Sequence, residues 1–105
     1  MVDEKLDKNH IQLYKNMIDR FGLDTQLVVL LEELSELQLV ITRYLRGRYN
    51  KNDLINLCAE EIADVLIMIE QLLYALNFNN LVSDWKKLKI KRLGEMINFQ
   101  YGTTE

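Results

Sequence analysis

Two long stretches of the chain repeat apolar residues at spacings of three and four, and a short polar segment separates them. This spacing is typical of one face of an α-helix. The stretches lie at about 25–46 and 51–76, so a tight turn is expected between Gly47 and Asn50. A connection this short makes two helices antiparallel neighbours. The sequence therefore predicts a helical hairpin at the centre of the fold.

A shorter helix is predicted on each side of this hairpin. The four predicted helices span about 7–20, 25–46, 51–76 and 80–98, with a polar break at 77–80 and a frayed tail at 102–105. The residues expected at helix ends are Gly22, Asp24 or Thr25, and Asn52 or Asp53. The chain has no proline and four glycines, which favours helices over strands. We predict an all-α fold, a four-helix hairpin bundle forming one domain over residues 1–105.

Composition excludes several classes of function. The chain has 105 residues, with 49% hydrophobic and 28% charged, as in a globular domain. The net charge of −3 gives no attraction to nucleic acid, so no DNA or RNA partner is predicted. The single cysteine, Cys58, excludes an internal disulfide and a cysteine zinc cluster. No leader and no apolar run of membrane-spanning length are recognised, so a cytoplasmic location without a membrane partner is expected.

The apolar line of the third helix contains an acidic residue. The predicted core positions of the second helix are Leu27, Leu30, Leu34, Leu37, Ile41 and Tyr44. Those of the third helix are Leu54, Cys58, Val65, Met68, Leu72 and Leu76. The position between Cys58 and Val65 on that line is Glu61. Because burying an isolated carboxylate costs several kcal/mol, something is expected to compensate for the charge of Glu61.

Four acidic residues are predicted to meet across the hairpin. With the turn centred at residue 49, Glu36 lies 13 residues before it and Glu61 lies 12 after it. Glu33 lies 16 residues before the turn and Asp64 lies 15 after it. Residues equally distant from the turn of an antiparallel pair lie at the same height. Glu36 is therefore expected opposite Glu61, and Glu33 opposite Asp64.

Ligands that offer only oxygen suit a hard cation such as Mg²⁺, Mn²⁺ or Ca²⁺, of which Mg²⁺ is expected first and Mn²⁺ as its alternative. The only histidine, His10, lies outside the group, which argues against a di-iron site of the ferritin type. Two other interpretations remain open: the acidic residues could form a solvated surface, or Glu61 could pair with a cation such as Arg43 or Lys51. Glu32 and Glu60, one residue away, are expected either to support the metal ligands from outside or to be surface charges.

The acidic residues also resemble a known family motif. Glu32, Glu33 and Glu36, followed by Glu61 and Asp64, are similar to the paired motif of the MazG-like all-α NTP pyrophosphohydrolases, over about residues 10–97. The resemblance implies Mg²⁺-dependent cleavage of a nucleoside triphosphate, ribo or deoxy, to the monophosphate and pyrophosphate. It also implies that Glu33, Glu36, Glu61 and Asp64 hold the metal.

Further expectations concern the substrate contacts, the assembly and the catalytic base. Lys89 and Arg92 match the family's basic residues that contact substrate phosphates, with a solvated basic face as the alternative. The resemblance also implies a homodimer or homotetramer. Glu33 or Glu36 is the expected catalytic base for a metal-bound water. Trp85 is expected in the core or an interface, with stacking on a base as the alternative. The competing function is a non-catalytic helical module that binds nucleotide or another protein.

Overall fold

The computed structural model describes residues 7–101, with the side chains described over residues 7–98. It contains four helices in this order: α1 Lys8–Phe21, α2 Leu23–Leu45, α3 Lys51–Ala75 and α4 Asn79–Tyr101. No strand occurs over residues 7–101. The all-α prediction is confirmed, and each predicted helix is present to within a few residues at its ends. The predicted tail at 102–105 lies outside the described residues.

Gly22 joins α1 directly to α2. Its backbone N–H donates to Ile18 O at 2.8 Å, which ends α1, and its own carbonyl accepts from Gln26 N at 3.2 Å, which starts α2. Its φ of 89° favours glycine. Gly22 is therefore also the N-cap of α2, so that Asp24 and Thr25, which the sequence predicted as caps, lie within the first turn of α2.

Backbone and side-chain caps fix the turn between α2 and α3. The backbone of Gly47 adopts a left-handed conformation with φ of 79°. The N–H of Arg48 donates to Arg43 O at 2.9 Å, so α2 ends in a Schellman motif. Asn50 then caps α3 by accepting from Asp53 N, and Asp53 accepts from Asn50 N in return. This reciprocal capping box begins α3 at Lys51, slightly earlier than the predicted caps imply. The two long helices are consequently held as an antiparallel hairpin.

The core lies among α1, α2 and α3, which pack against one another. Its buried apolar side chains are Tyr14, Val40, Val65 and Met68. Among the described residues no large side chain is completely buried. The core of one chain is therefore small.

The buried line of α2 differs from the predicted one. Its buried or half-buried residues are Gln26, Val29, Leu30, Glu33, Leu37, Val40, Thr42 and Tyr44, whereas Leu27, Leu34 and Ile41 are exposed. The sequence prediction was wrong at these three positions because α2 is rotated to direct Gln26, Glu33 and Val40 towards α3. In α3 the predicted line is confirmed except at Leu76, which is exposed.

Helix α4 stands apart from the other three. The chain turns by 120° after α3, at Asn77, which has a positive φ of 59°. Helix α4 forms no packing comparable to that among α1, α2 and α3, and its side chains from Leu81 to Asn98 are exposed. The predicted four-helix bundle is thus a three-helix bundle with a projecting helix within one chain. A physical reason is that the apolar residues of α4 spread over about half of its circumference and alternate with lysines.

Within the described part of the chain, no single helix is long and apolar enough to cross a membrane. Helices α3 and α4 reach the necessary length and apolar composition only when they are taken together across the 120° bend between them.

Candidate metal centre

Four carboxylates from α2 and α3 converge in the structure. One oxygen from each of Glu33, Glu36, Glu61 and Asp64 lies within 4.8 Å of the others. We call these four residues the carboxylate cluster. The convergence predicted from the distance of each residue to the turn is therefore confirmed, whereas the role of the residues as ligands stays a prediction.

Two oxygens of the carboxylate cluster are buried and lack a partner. Oε1 of Glu33 and Oε1 of Glu61 are both inaccessible to solvent, and neither has a hydrogen-bond partner. A buried carboxylate oxygen without a donor loses its hydration without compensation. These two atoms lie on opposite helices of the hairpin, so a cation between α2 and α3 would supply the missing interaction for both.

The pKa of Glu33 and the pKa of Glu61 are both raised. For Glu33 the main cause is burial, followed by the neighbouring Glu36 carboxyl and the negative charge of Asp64. For Glu61 the main cause is again burial, and the charges of Glu36 and Asp64 come next, with a smaller effect of Glu60. All of these influences favour the protonated form. Among residues 7–98, no nearby positive charge therefore offsets the burial of Glu61.

The alternative partners of Glu61 lie elsewhere. Arg43 donates from Nη1 to the hydroxyl of Tyr49 at 3.3 Å, close to the turn. Lys51 is exposed in the first turn of α3. Neither forms the structural ion pair with Glu61 that the sequence left open, which strengthens the case for a cation from solution.

The arrangement suits a divalent ion bound by oxygen. Ligands on opposite sides of Mg²⁺ are about 4.2 Å apart, since each Mg–O distance is about 2.1 Å. The four carboxylate oxygens lie within 4.8 Å of one another, which is slightly wider than this distance. Small rotations of the side chains would therefore bring all four oxygens to one ion. Glu36 is exposed while the other three residues are half-buried. The carboxylate cluster thus opens to solvent beside Glu36, where a phosphate group or water can enter.

The other sequence-predicted site residues do not join this cluster. Glu32 and Glu60 are exposed on α2 and α3, and Glu60 contributes to the centre only through its effect on the pKa of Glu61. Lys89 and Arg92 are exposed on α4, which does not pack against the hairpin. Trp85 is also exposed on α4, beside Asp84 and Leu88, and not in the core of this chain.

Two polar contacts elsewhere in the three-helix bundle were not predicted from the sequence. Gln71 donates from Nε2 to Gln26 Oε1 at 2.7 Å, and both residues are buried. The Tyr14 hydroxyl donates to Glu70 Oε1 at 2.8 Å, and burial together with this contact raises the pKa of Tyr14 to about 12. The sequence carries a signal for the first pair, because Gln26 and Gln71 are, to within one residue, equally distant from the turn at residue 49. It carries no such signal for Tyr14, since α1 is not part of the hairpin.

Comparison with known proteins adds no family assignment. The chain matches no protein-family model, no curated protein and no solved structure.

Proposed function

We propose that this chain is a Mg²⁺-dependent nucleoside triphosphate pyrophosphohydrolase of the MazG-like type, which cleaves a ribo- or deoxyribonucleoside triphosphate to the monophosphate and pyrophosphate. The observation that carries the proposal is the carboxylate cluster with its two buried, unpaired oxygens. A solvated acidic surface would have no reason to bury Oε1 of Glu33 and Oε1 of Glu61. The resemblance of the two acidic motifs supplies the substrate class.

The metal would neutralise charge on the triphosphate and lower the pKa of a bound water. The residues of the chain have separate tasks around it. Glu61 and Asp64 on α3 would act as ligands, and Glu33 and Glu36 on α2 would complete the set. Because Glu36 is the exposed member of the cluster, it is best placed to accept a proton from an entering water. Glu33 is the alternative base.

Lys89 and Arg92 remain candidates for contacts with the substrate phosphates. They are three residues apart, so they share one side of α4. Because α4 does not pack against α2 or α3 of its own chain to a comparable extent, these side chains reach the cluster only in an assembly or conformation that brings α4 to it. Their substitution by alanine is expected to raise KM while the affinity for Mn²⁺ stays unchanged.

A substrate screen tests the proposed function directly. Each common NTP and dNTP is incubated with Mg²⁺ or with a chelator, and monophosphate and pyrophosphate are quantified. We expect equal amounts of the two products with Mg²⁺ and none with the chelator. Glu33→Gln and Asp64→Asn should lose at least about a hundredfold in rate, whereas Glu32→Gln, at an exposed neighbouring position, serves as the matched control.

The same screen separates the competing function. Nucleotide binding by calorimetry without any hydrolysis would identify a non-catalytic nucleotide-binding module. The absence of both binding and hydrolysis for all eight nucleotides would leave a protein-interaction module and would overturn the proposal.

A further inference from the structure

The basic residues of the α2–α3 hairpin are all collected at its closed end. The segments 21–42 and 54–83, which include most of both helices, contain eight acidic residues and no lysine or arginine. We call residues 43–53, between these segments, the hairpin tip. The hairpin tip has a net charge of +3, whereas the rest of the chain has a net charge of −6. Its charged residues are Arg43, Arg46, Arg48, Lys51 and the single acidic residue Asp53.

Hydrogen bonds give the hairpin tip a defined conformation. The N–H of Arg48 donates to Arg43 O at 2.9 Å, and the N–H of Gly47 donates to Tyr44 O at 2.9 Å. Nη1 of Arg43 also donates to the hydroxyl of Tyr49 at 3.3 Å. All four basic side chains of the tip are exposed. They therefore form a positive patch on an ordered turn.

Folding of the hairpin does not account for all of this positive charge. Arg43 and Arg46 lie at the carboxyl end of α2, where a cation interacts favourably with the helix dipole. Lys51 is the first residue of α3, where a cation is unfavourable for the same reason. The carboxylate of Asp53 accepts from Asn50 N in the capping box, so it already has a structural task. The positive charge is therefore available to a partner outside the chain.

An exposed leucine lies within this positive patch. Leu45, the last residue of α2, is 76% exposed, more than any other large apolar residue among residues 7–98. Arginine side chains bind phosphate groups of any polyanion, including those of a nucleic acid. The phosphate backbone of a nucleic acid, however, offers no apolar contact to a leucine. An anionic bilayer offers phosphates to the arginines and acyl chains just beneath them to Leu45, so both features favour the same partner.

The acidic residues of the hairpin lie too far behind the tip to prevent this contact. Glu36 precedes the end of α2 at Leu45 by nine residues, and Glu60 follows the start of α3 at Lys51 by nine residues. Nine residues of an α-helix span about 13 Å. This distance exceeds the Debye length of about 8 Å at physiological ionic strength. When the hairpin approaches a surface with its tip first, the cations interact with that surface while the carboxylates are screened.

We propose that the hairpin tip docks on the surface of an anionic lipid bilayer, with its basic residues at the lipid phosphates and Leu45 among the upper acyl chains. The expectation of no membrane partner rested on the lack of a spanning segment, which a peripheral contact does not require. The net charge of −3 is an average over two regions of opposite sign. In this orientation the carboxylate cluster stays in water, at least about 13 Å behind the helix ends. The inference does not depend on the proposed hydrolase function.

Vesicle sedimentation with the full chain tests this docking. The vesicles consist of phosphatidylcholine alone or of phosphatidylcholine with about 30% phosphatidylserine. We expect the wild-type protein to sediment with the anionic vesicles and not with the neutral ones. Binding should be lost at about 0.5 M salt, because the charges are then screened.

Matched double variants test the contribution of the basic residues. Arg46→Gln/Arg48→Gln removes two charges from the tip, each of which contributes about fivefold to the partition coefficient, so binding should fall about twentyfold. Lys8→Gln/Lys15→Gln, at two exposed positions of α1, changes the net charge equally and should change binding less than about twofold. The charge-preserving variant Arg46→Lys/Arg48→Lys should bind as the wild type does.

A second pair of variants tests the contribution of the leucine. Leu45→Ser should weaken binding to the anionic vesicles by about fivefold or more, because one inserted apolar side chain is lost. Leu31→Ser, also on α2 and 63% exposed, should leave binding unchanged. Circular dichroism checks that each variant is folded. If Arg46→Gln/Arg48→Gln does not fold, Arg48→Gln alone should still weaken binding about fivefold.

Three results would overturn the proposal. The first is a wild-type chain that does not bind the anionic vesicles at low salt. The second is binding that the tip variants leave intact, including binding that is instead lost in Lys86→Gln/Lys87→Gln, which would assign the contact to α4. The third is tighter binding to single-stranded RNA than to the vesicles at the same salt, reduced by Arg46→Gln/Arg48→Gln and unaffected by Leu45→Ser. That result would make the hairpin tip a nucleic-acid surface.

Discussion

Gln71 donates a buried hydrogen bond of 2.7 Å from its side-chain amide nitrogen to Oε1 of Gln26. Gln26 precedes Glu33 by seven residues, and Gln71 follows Asp64 by seven. Seven residues correspond to about two helical turns, or about 10 Å along the axis. The amide pair and the carboxylate cluster therefore lie on the same seam between α2 and α3. A hydrogen bond at this position opposes sliding of one helix along the other, and so helps to hold the four carboxylates level.

Substitution of one amide should cost more stability than substitution of both. Gln71→Leu leaves the buried Gln26 amide without its partner, which is expected to lower the free energy of unfolding by about 1–3 kcal/mol. The double variant Gln26→Leu/Gln71→Leu replaces the pair by an apolar contact and should recover most of that loss. Urea denaturation at one fixed protein concentration measures both. Gln38→Leu, at an exposed position of α2, is the control, and simple additivity of the two single effects would contradict the coupling.

The hairpin and the convergence of its acidic residues could be predicted because both depend on local regularities. Helical spacing, a short turn and equal distances from that turn place Glu36 beside Glu61 whatever the remaining contacts are. The rotation of α2 about its own axis could not be predicted in this way. Apolar residues occur on more than one side of α2, so periodicity alone did not distinguish the buried line of Leu30, Leu37 and Val40 from the exposed line of Leu27, Leu34 and Ile41.

The placement of α4 could not be predicted from the sequence for a related reason. Its apolar residues spread over about half of its circumference, and no single narrow line indicates which neighbour it packs against. The polar contact between Tyr14 and Glu70 depends in turn on how α1 packs on α3, which the spacing within each helix does not determine. The packing of α1 and α4 relative to the hairpin is therefore the part of this fold that is hardest to predict from the sequence.

Without metal, the protein should lose stability as the pH rises. The pKa of Glu33 and that of Glu61 are raised in the folded chain above the ordinary value of 4.5, chiefly by burial. The folded state then binds more protons than the unfolded state from that value up to the raised pKa, so stability decreases with pH across this window. Thermal unfolding of the chelator-treated protein at a series of pH values measures the slope. Glu33→Gln should reduce it, and a wild-type melting temperature that rises through the window would contradict the assignment.

Magnesium should stabilise the folded chain at neutral pH. An ion that binds the carboxylate cluster and not the unfolded chain adds about 1.4 kcal/mol at ten times its dissociation constant, which corresponds to several degrees in melting temperature. Mn²⁺ should act similarly. The double variant Glu33→Gln/Asp64→Asn should show no such increase. Flat melting curves and flat calorimetric titrations for the wild-type protein, with and without nucleotide, would show that the cluster is not a metal site.

Glu61→Gln separates catalysis from folding at the residue where the two interpretations differ most. The change keeps the shape of the side chain and removes the negative charge of Glu61, which lies beside Glu33, Glu36 and Asp64. If Glu61 is a metal ligand, hydrolysis should fall by orders of magnitude, while the metal-free protein should be as stable as the wild type or more so, because repulsion within the cluster is relieved. Pyrophosphate release and the metal-free melting temperature are measured on the same sample, with Glu32→Gln on the exposed side of α2 as the matched control. The opposite result, an active enzyme with a lowered melting temperature, would assign Glu61 a structural role and would remove one of the two buried carboxylate oxygens on which the metal site rests.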